Sequence, residues 1–204
     1  MSIRVLLADD QALVRGALAA LLSLEDDLEV VGQVGRGDEV LAACRECSPD
    51  VVLMDVDMPG MDGLAATARV REELPDVKVL IVTTFGRPGF LKRAMHSGAH
   101  GFVVKDTPAD DLSEAVRQIA AGLRVVDPAL AADSLVLGES PLTPRETEVL
   151  QAAADGATVA VIAKRVHLSE GTVRNHLSSV MGKTTSGTRA EAVRVAISHG
   201  WILG

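Results

Sequence analysis

Polar residues follow three strand-like apolar runs in the first half of the chain. Asp9 and Asp10 come directly after the first run, Asp55 after the second and Lys105 after the third. Short apolar runs of this kind are typical of buried parallel strands. The carboxyl ends of such strands lie at one edge of an open α/β sheet, where ligands bind. We therefore expect these four side chains to meet in one crevice.

Three carboxylates and one ammonium group in a crevice suit phosphoryl chemistry. Carboxylate oxygens are ligands for Mg²⁺, which usually shares its coordination sphere with phosphate oxygens. A lysine can pair with a phosphoryl group as a point charge. Singly, Asp9 and Asp10 could cap a helix, Asp55 could lie in a turn and Lys105 could be a solvated surface charge. Together they predict a site at which an aspartate is phosphorylated.

The elements that would position these residues follow a βαβ pattern. The predicted strands are residues 4–8, 28–34, 51–54, 79–83 and 101–104. The predicted helices are residues 12–22, 38–47, 63–73, 90–97 and 109–121. This pattern predicts an α/β doubly wound domain with a five-stranded parallel sheet over residues 1–122. Residues 123–140 break the pattern and predict a linker with a short helix at 129–137.

Residues 141–204 have only helical patterns and predict an all-α domain of four helices. The predicted helices are residues 144–154, 159–166, 170–182 and 189–199. Thr143 with Glu146 three residues later is a capping box, and Ser169 is a second helix cap.

Composition and charge narrow the class of protein. Residues 1–140 carry a net charge of −10, whereas residues 141–204 carry +2, which indicates two domains with different partners. The three Phe and one Trp are too few for a base-stacking platform on single-stranded nucleic acid. The sequence contains no apolar run that could span a bilayer and no signal-peptide pattern, so we expect a cytoplasmic protein without membrane partners.

Cys44 and Cys47 form a CxxC pattern. Two such thiols could be redox-active or bind a metal, but the second cysteine pair that a zinc site needs is missing. The helical pattern of residues 38–47 favours two thiols on a helix face, and any further role of the pair stays open.

Four motifs in the first half resemble the receiver domain of bacterial response regulators. They are Leu-Leu-Ala-Asp-Asp at 6–10, Asp-Val-Asp-Met-Pro-Gly-Met-Asp-Gly at 55–63, Val-Thr-Thr at 82–84 and Val-Lys-Asp at 104–106. The resemblance implies that Asp55 takes a phosphoryl group from a sensor histidine kinase. It also implies that Asp10 and Asp55 ligate Mg²⁺ directly, Asp9 through water and Asp57 through its backbone carbonyl.

The same resemblance implies roles for residues on the neighbouring strands. Lys105 would pair with the phosphoryl oxygens, and Thr83 would donate its hydroxyl to them. The adjacent Thr84 is the alternative donor, since alternation in a strand points the two hydroxyls to opposite faces. Phe102 stands where such proteins carry a switching aromatic ring, although a plain core position is the alternative.

The second half resembles the LuxR-type helix-turn-helix domain, and the whole chain resembles NarL/FixJ-type response regulators. The motifs are Leu-Thr-Pro-Arg-Glu at 142–146, Ile-Ala at 162–163, Ser-Glu-Gly-Thr-Val-Arg-Asn-His at 169–176 and Arg-Ala-Glu-Ala at 189–192. By this resemblance residues 170–182 form the recognition helix, whose N-terminal residues meet base edges in the major groove. The implied DNA-binding residues are Arg174, Asn175, Thr172, His176, Ser178, Ser179, Lys183, Lys164 and Arg165.

The function implied is transcription regulation controlled by phosphorylation of Asp55. Phosphorylation would favour a homodimer that binds double-stranded promoter DNA, with RNA polymerase as a further candidate partner. Segments 24–32 and 83–90 are similar to the branch that contains the regulator of membrane-lipid desaturation. The alternatives are a Mg²⁺-dependent phosphatase with Asp55 as nucleophile, a regulator independent of phosphorylation, and a DNA-binding protein whose receiver domain binds another protein.

Overall fold

The computed structural model describes residues 2–84, 88–127, 130–132 and 140–202. The chain forms two compact units, one made mainly of residues before 133 and the other mainly of residues after it. Each unit has its own hydrophobic core, which agrees with the change in charge and helical pattern along the sequence.

The first unit contains a parallel sheet whose strand order is β2-β1-β3-β4-β5-β6. The strands are β1 (Ile3–Ala8), β2 (Leu28–Val34), β3 (Val51–Met54), β4 (Lys78–Thr83), β5 (Gly101–Val104) and β6 (Val125–Val126). The order reverses between β1 and β3, which is the place where open α/β sheets form a ligand crevice. The predicted doubly wound architecture is confirmed.

Five helices of the first unit connect these strands. They are α1 (Ala12–Leu22), α2 (Val40–Cys47), α3 (Gly63–Glu73), α4 (Pro88–His96) and α5 (Ala109–Ala120). The central strands β3 and β4 are almost wholly buried, which explains their continuous apolar runs. One core cluster packs Val5, Leu7 and Leu53 against Val116 and Ile119 of α5.

The five predicted strands are all present, and the sheet has a short sixth strand at its edge. Val125 and Val126 form β6, which pairs with Gly101 and Phe102 of β5 inside the segment predicted to be a linker. A strand of two residues is too short to show an alternating pattern, so only pairing with β5 identifies it. Of the helix predicted at 129–137, residues 130–132 are helical and the others lie outside the described residues.

The second unit consists of helices, as predicted. They are α6 (Pro144–Gln151), α7 (Val159–Arg165), α8 (Glu170–Lys183) and α9 (Arg189–Ser198). Each begins at a Ser or Thr side chain that accepts a hydrogen bond from the backbone of the first turn, and Thr143 with Glu146 forms the predicted capping box. The buried faces of the four helices form a single apolar cluster.

Two further expectations concern the thiols and the membrane. Cys44 is buried and Cys47 half-buried, and burial raises the pKa of the Cys44 thiol to about 12. A buried thiol that stays protonated is a poor nucleophile and metal ligand, which favours the plain helix-face interpretation. Across the residues that the structure describes, the helices are too short or too polar to cross a bilayer.

Candidate functional site

The strand order brings the predicted phosphorylation residues to one edge of the sheet. Asp9 follows β1, Asp55 follows β3, Thr83 ends β4 and Lys105 follows β5. These four strands are neighbours in the sheet. The backbone N–H of Lys105 donates to the carbonyl of Thr83 at 2.8 Å, which fixes these two positions side by side.

Asp9, Asp10 and Asp55 form a compact acidic cluster. One carboxylate oxygen from each lies within 4.8 Å of the other two. Asp9 and Asp55 are buried, whereas Asp10 is exposed. Buried like charges repel unless a cation offsets them, and hard oxygen donors suit a divalent cation. The cluster therefore fits a divalent metal ion, with Asp10 on the solvent side.

Lys105 bridges the two buried carboxylates. Its Nζ lies 2.7 Å from Asp9 Oδ2 and 3.0 Å from Asp55 Oδ2. The remaining oxygens are also held, because the backbone N–H of Gln11 donates to Asp9 Oδ1 and that of Val56 donates to Asp55 Oδ1, each at 2.8 Å. These two backbone donors are local contacts that the sequence motifs do not reveal.

The positive charge near Asp55 does not fully compensate the burial and the neighbouring negative charge of its carboxylate. Burial raises the pKa of Asp55 strongly, Lys105 lowers it in part and Asp9 raises it again, so that the pKa is about 6. Burial lowers the pKa of Lys105, but its hydrogen bonds to Asp9 and Asp55 outweigh burial and raise it. One ammonium group therefore does not balance the carboxylates around it.

Gly63 allows helix α3 to approach the backbone of Asp55. A Cβ at position 63 would lie 1.8 Å from the Asp55 carbonyl oxygen, well inside van der Waals contact. The Gly63 N–H donates to the Val56 carbonyl at 2.8 Å, and Asp62 caps the helix through the Ala65 N–H. The sequence places Gly63 only at the start of a predicted helix, because the close approach involves the neighbouring backbone and leaves no pattern.

The remaining predicted receiver residues are placed as follows. Thr83 is buried at the end of β4, whereas Thr84 is exposed. Phe102 is fully buried in β5, and Asp57 is half-buried in the loop after β3. Burial of Phe102 in this state fits both a core position and a ring that moves on activation.

The predicted base-contacting residues lie near the N-terminal end of α8. Arg174 and Asn175 are exposed, and Arg174 forms an ion pair with Glu170 at 2.7 Å. An exposed pair of this kind contributes little to stability, so the guanidinium remains available to another acceptor. Thr172 and His176 are half-buried, and the Thr172 hydroxyl is hydrogen-bonded to the Ser169 hydroxyl at 2.8 Å.

The residues predicted to contact DNA phosphates differ in their contacts within the protein. Lys164 and Ser178 are exposed. Arg165 is also exposed but pairs with Asp155 at 2.7 Å and donates to the Ala152 carbonyl at 3.1 Å. Lys164 is therefore the less constrained of the two adjacent cations on α7.

Ser179 and Lys183 are exposed residues whose polar groups also bind a carboxylate within the protein, a contact that the sequence did not predict. The Ser179 hydroxyl donates to Glu146 Oε1 and the Lys183 ammonium to Glu146 Oε2, each at 2.6 Å. The sequence identified Glu146 only as half of a capping box. The physical reason for this contact is the burial of Glu146, since a buried carboxylate needs hydrogen-bond donors and these two donors lie on the facing helix.

Two family models match the chain in the same order as the two units. The response regulator receiver domain matches residues 5–117, and the luxR family of bacterial regulatory proteins matches residues 140–196. Together they cover nearly all of the elements described above.

Known proteins with the same arrangement align over the whole chain. The transcriptional regulatory proteins YvfU and DesR of Bacillus subtilis are 42% and 41% identical over 98% of this chain, covering 100% and 98% of their own lengths. The response regulator ChrA of a heme-sensing two-component system aligns over 98% of this chain and 99% of its own, with 32% identity and a TM-score of 0.59. The chain therefore belongs to the response regulators of two-component systems that join a receiver domain to a LuxR-type DNA-binding domain and act as transcription regulators, not as enzymes.

Proposed function

We propose that Asp55 is the phosphoacceptor and that a sensor histidine kinase is the donor. The observation that carries this proposal is the buried Asp55 carboxylate, flanked by Asp9 and Asp10 and bridged by Lys105. An Asp55 oxygen attacks the phosphorus of a phosphohistidine, a P–O bond forms, and the P–N bond breaks as the imidazole leaves with a proton. We propose that the protein acts in the cytoplasm.

Mg²⁺ is the cation that we propose for the acidic cluster. When bound, it would neutralise charge on the phosphoryl oxygens and on the carboxylates. Asp10 and Asp55 would bind it directly and the Asp57 carbonyl would complete the set. Asp9 would act through water. Calorimetry with Mg²⁺ should give binding to the wild type and none to Asp10→Ala; equal heats would refute this ligand set.

Phosphorylation of Asp55 is proposed to change the surface through β4 and β5. Lys105 would stay with the phosphoryl oxygens, Thr83 would move toward them, and Phe102 would follow on the adjacent strand. A homodimer is the expected result. Helix α1 offers an apolar face for it, since Leu13 is 87% exposed and Leu24, just beyond the helix, is 80% exposed.

Dimerisation is proposed to place two copies of α8 on adjacent half-sites of promoter DNA. Arg174 and Asn175 would meet base edges, while Thr172, His176 and Ser178 would contact the backbone. Lys164 and Arg165 would lie against phosphates. RNA polymerase is a further proposed partner.

The whole sequence of events can be tested with the full chain and a small acyl phosphate in Mg²⁺ buffer. We expect a mass increase of one phosphoryl group, a doubling of molar mass by light scattering and tighter binding to a duplex selected from a random pool. Asp55→Ala should remove all three changes. A selected duplex that binds equally before and after phosphorylation would refute control by Asp55.

Base readout is tested separately with Arg174→Ala. Loss of a base contact costs about 1–3 kcal/mol and relaxes sequence preference. The variant should therefore lower the ratio of selected-duplex to random-duplex affinity at one salt concentration. If it weakens both duplexes equally, Arg174 contacts only phosphate and Asn175 alone is left for readout.

A further inference from the structure

A single buried carboxylate joins two helices of the DNA-binding unit. Glu146 on α6 is 5% exposed and receives three hydrogen bonds within 2.7 Å, from the Thr143 backbone N–H, the Ser179 hydroxyl and the Lys183 ammonium. Of the described acidic residues, only Asp9, Asp55 and Glu146 are buried. Glu146 is thus the counterpart, in the second unit, of the buried acids in the receiver domain.

The donors from α8 lie on one side of its C-terminal half. Ser179 and Lys183 are four residues apart, so their side chains share a face of the helix. Arg174 and Asn175 lie near the other end and are exposed. The helix is therefore anchored to Glu146 at its C-terminal end (the far end), and its N-terminal end (the near end) is exposed for contact with DNA.

The ammonium group of Lys183 already forms an ion pair with Glu146 of the same chain. A buried carboxylate is costly unless it is paired and hydrogen-bonded. Burial raises the pKa of Glu146, but the hydrogen bonds from Lys183, Ser179 and Thr143 outweigh burial and lower the pKa to about 2. Moving Lys183 to a DNA phosphate would leave this carboxylate without its cation. Lys164 is exposed like Lys183, but among the described residues it forms no ion pair with a buried acid.

We infer that Glu146 is a positioning residue for DNA recognition and that Lys183 neutralises Glu146 instead of a DNA phosphate. The inference rests on the proposed role of α8 in base readout. The Glu146–Lys183–Ser179 contact fixes the far end of α8 against α6. Arg174 and Asn175 at the near end then approach the bases at a set depth and angle.

The first test is the salt dependence of binding to a random-sequence duplex. Each phosphate contact contributes about one to the slope of log K against log salt. Lys183→Met should leave the slope unchanged, whereas Lys164→Met, the matched exposed cation, should reduce it by about one. A reduction of about one with Lys183→Met would overturn the inference.

The second test is a double-mutant cycle on the full chain, without DNA. Trp201 is the only tryptophan and the chain has no tyrosine, so its fluorescence reports unfolding of this unit. Lys183→Met should lower the midpoint by about 5 °C, and by much less when Glu146→Gln is also present. Equal drops in both backgrounds would refute the pairing. If Lys183→Met does not fold, Ser179→Ala takes its place in the same cycle.

The positioning role itself is tested by specificity. Lys183→Met should lower the ratio of selected-duplex to random-duplex affinity roughly tenfold, and Lys183→Arg, which keeps the ion pair, should restore it. An unchanged affinity ratio would show that Glu146 only stabilises the fold, and it would overturn the inference. A wild-type protein that binds no DNA would instead refute the proposed function. The double-mutant cycle, which needs no DNA, would still decide whether Glu146 and Lys183 pair.

Discussion

The receiver domain and the DNA-binding unit each bury a carboxylate beside a lysine, with opposite results. Near Asp55, two buried carboxylates share the ammonium group of Lys105 while Asp10 lies beside them, and the pKa of Asp55 is raised to about 6. Among the described residues, Glu146 is the one acid that pairs with the ammonium group of Lys183, and its pKa is lowered to about 2. Burial acts in the same direction on both carboxylates.

The difference is therefore the balance of charge and of hydrogen-bond donors. Glu146 has a cation, a hydroxyl and a backbone N–H, which together compensate its burial. The acids around Lys105 exceed the positive charge available to them, and one of them, Asp10, faces solvent. A buried acid with too little compensation is suited to take up a cation and a phosphoryl group, whereas a fully compensated acid is suited to hold helices together.

The largest effect expected is on phosphorylation itself. Asp55→Ala should abolish labelling by a small acyl phosphate in Mg²⁺, whereas Glu146→Gln, which removes the compensated acid of the DNA-binding unit, should leave labelling unchanged. Intact-protein mass spectrometry measures both. Labelling of Asp55→Ala at the wild-type level would mean that another side chain is the acceptor and would break the comparison.

The next effect concerns the backbone that supports Asp55. Gly63→Ala should destabilise the receiver domain by about 3 kcal/mol, because the added Cβ collides with the Asp55 carbonyl. Gly16→Ala is the matched control, since nothing lies within 4 Å of its added Cβ and a helix interior gains about 0.5–1 kcal/mol from the change. Urea unfolding followed by circular dichroism measures both variants. A loss of less than about 0.5 kcal/mol for Gly63→Ala would show that the approach is not tight.

A smaller effect is expected from Lys105. Lys105→Ala should still be labelled on Asp55 but should couple phosphorylation poorly to dimerisation, a loss of about 1–3 kcal/mol in coupling. Lys78→Ala, at the opposite end of the same sheet, is the control with the same change in charge. Light scattering after phosphodonor treatment gives the result. A dimer fraction equal to that of the wild type would remove Lys105 from the switch.

The smallest expected change appears on acidification. Because the folded-state pKa of Glu146 lies below the ordinary value of 4.5, its contribution to stability is complete above that pH and is lost as pH falls toward 2. The difference in urea midpoint between wild type and Glu146→Gln, followed by Trp201 fluorescence, should shrink over this range. A difference that stays constant from pH 5 to pH 2.5 would show that Glu146 is not held by Lys183.

Local patterns in the sequence determined most of the fold and the family. Apolar runs predicted five strands because a buried parallel strand must be apolar on both faces, and Ser or Thr caps predicted where helices of the second unit begin. The acceptor set of Asp9, Asp10, Asp55 and Lys105 was predictable because each residue directly follows a strand and parallel strands end at one edge. The match to receiver and luxR families confirms the family on these grounds.

Contacts between distant segments were decided only by the tertiary structure. β6 is identified only by its pairing with β5. Glycine is needed at position 63 because the Asp55 carbonyl lies against it. Of the two adjacent threonines, Thr83 is the buried one. Lys183 is exposed, and its ammonium group pairs with a carboxylate 37 residues away in the sequence, which its helical pattern does not indicate. The physical reason is common to these cases: burial, close approach and charge pairing depend on what lies opposite a residue in space, which no local pattern records.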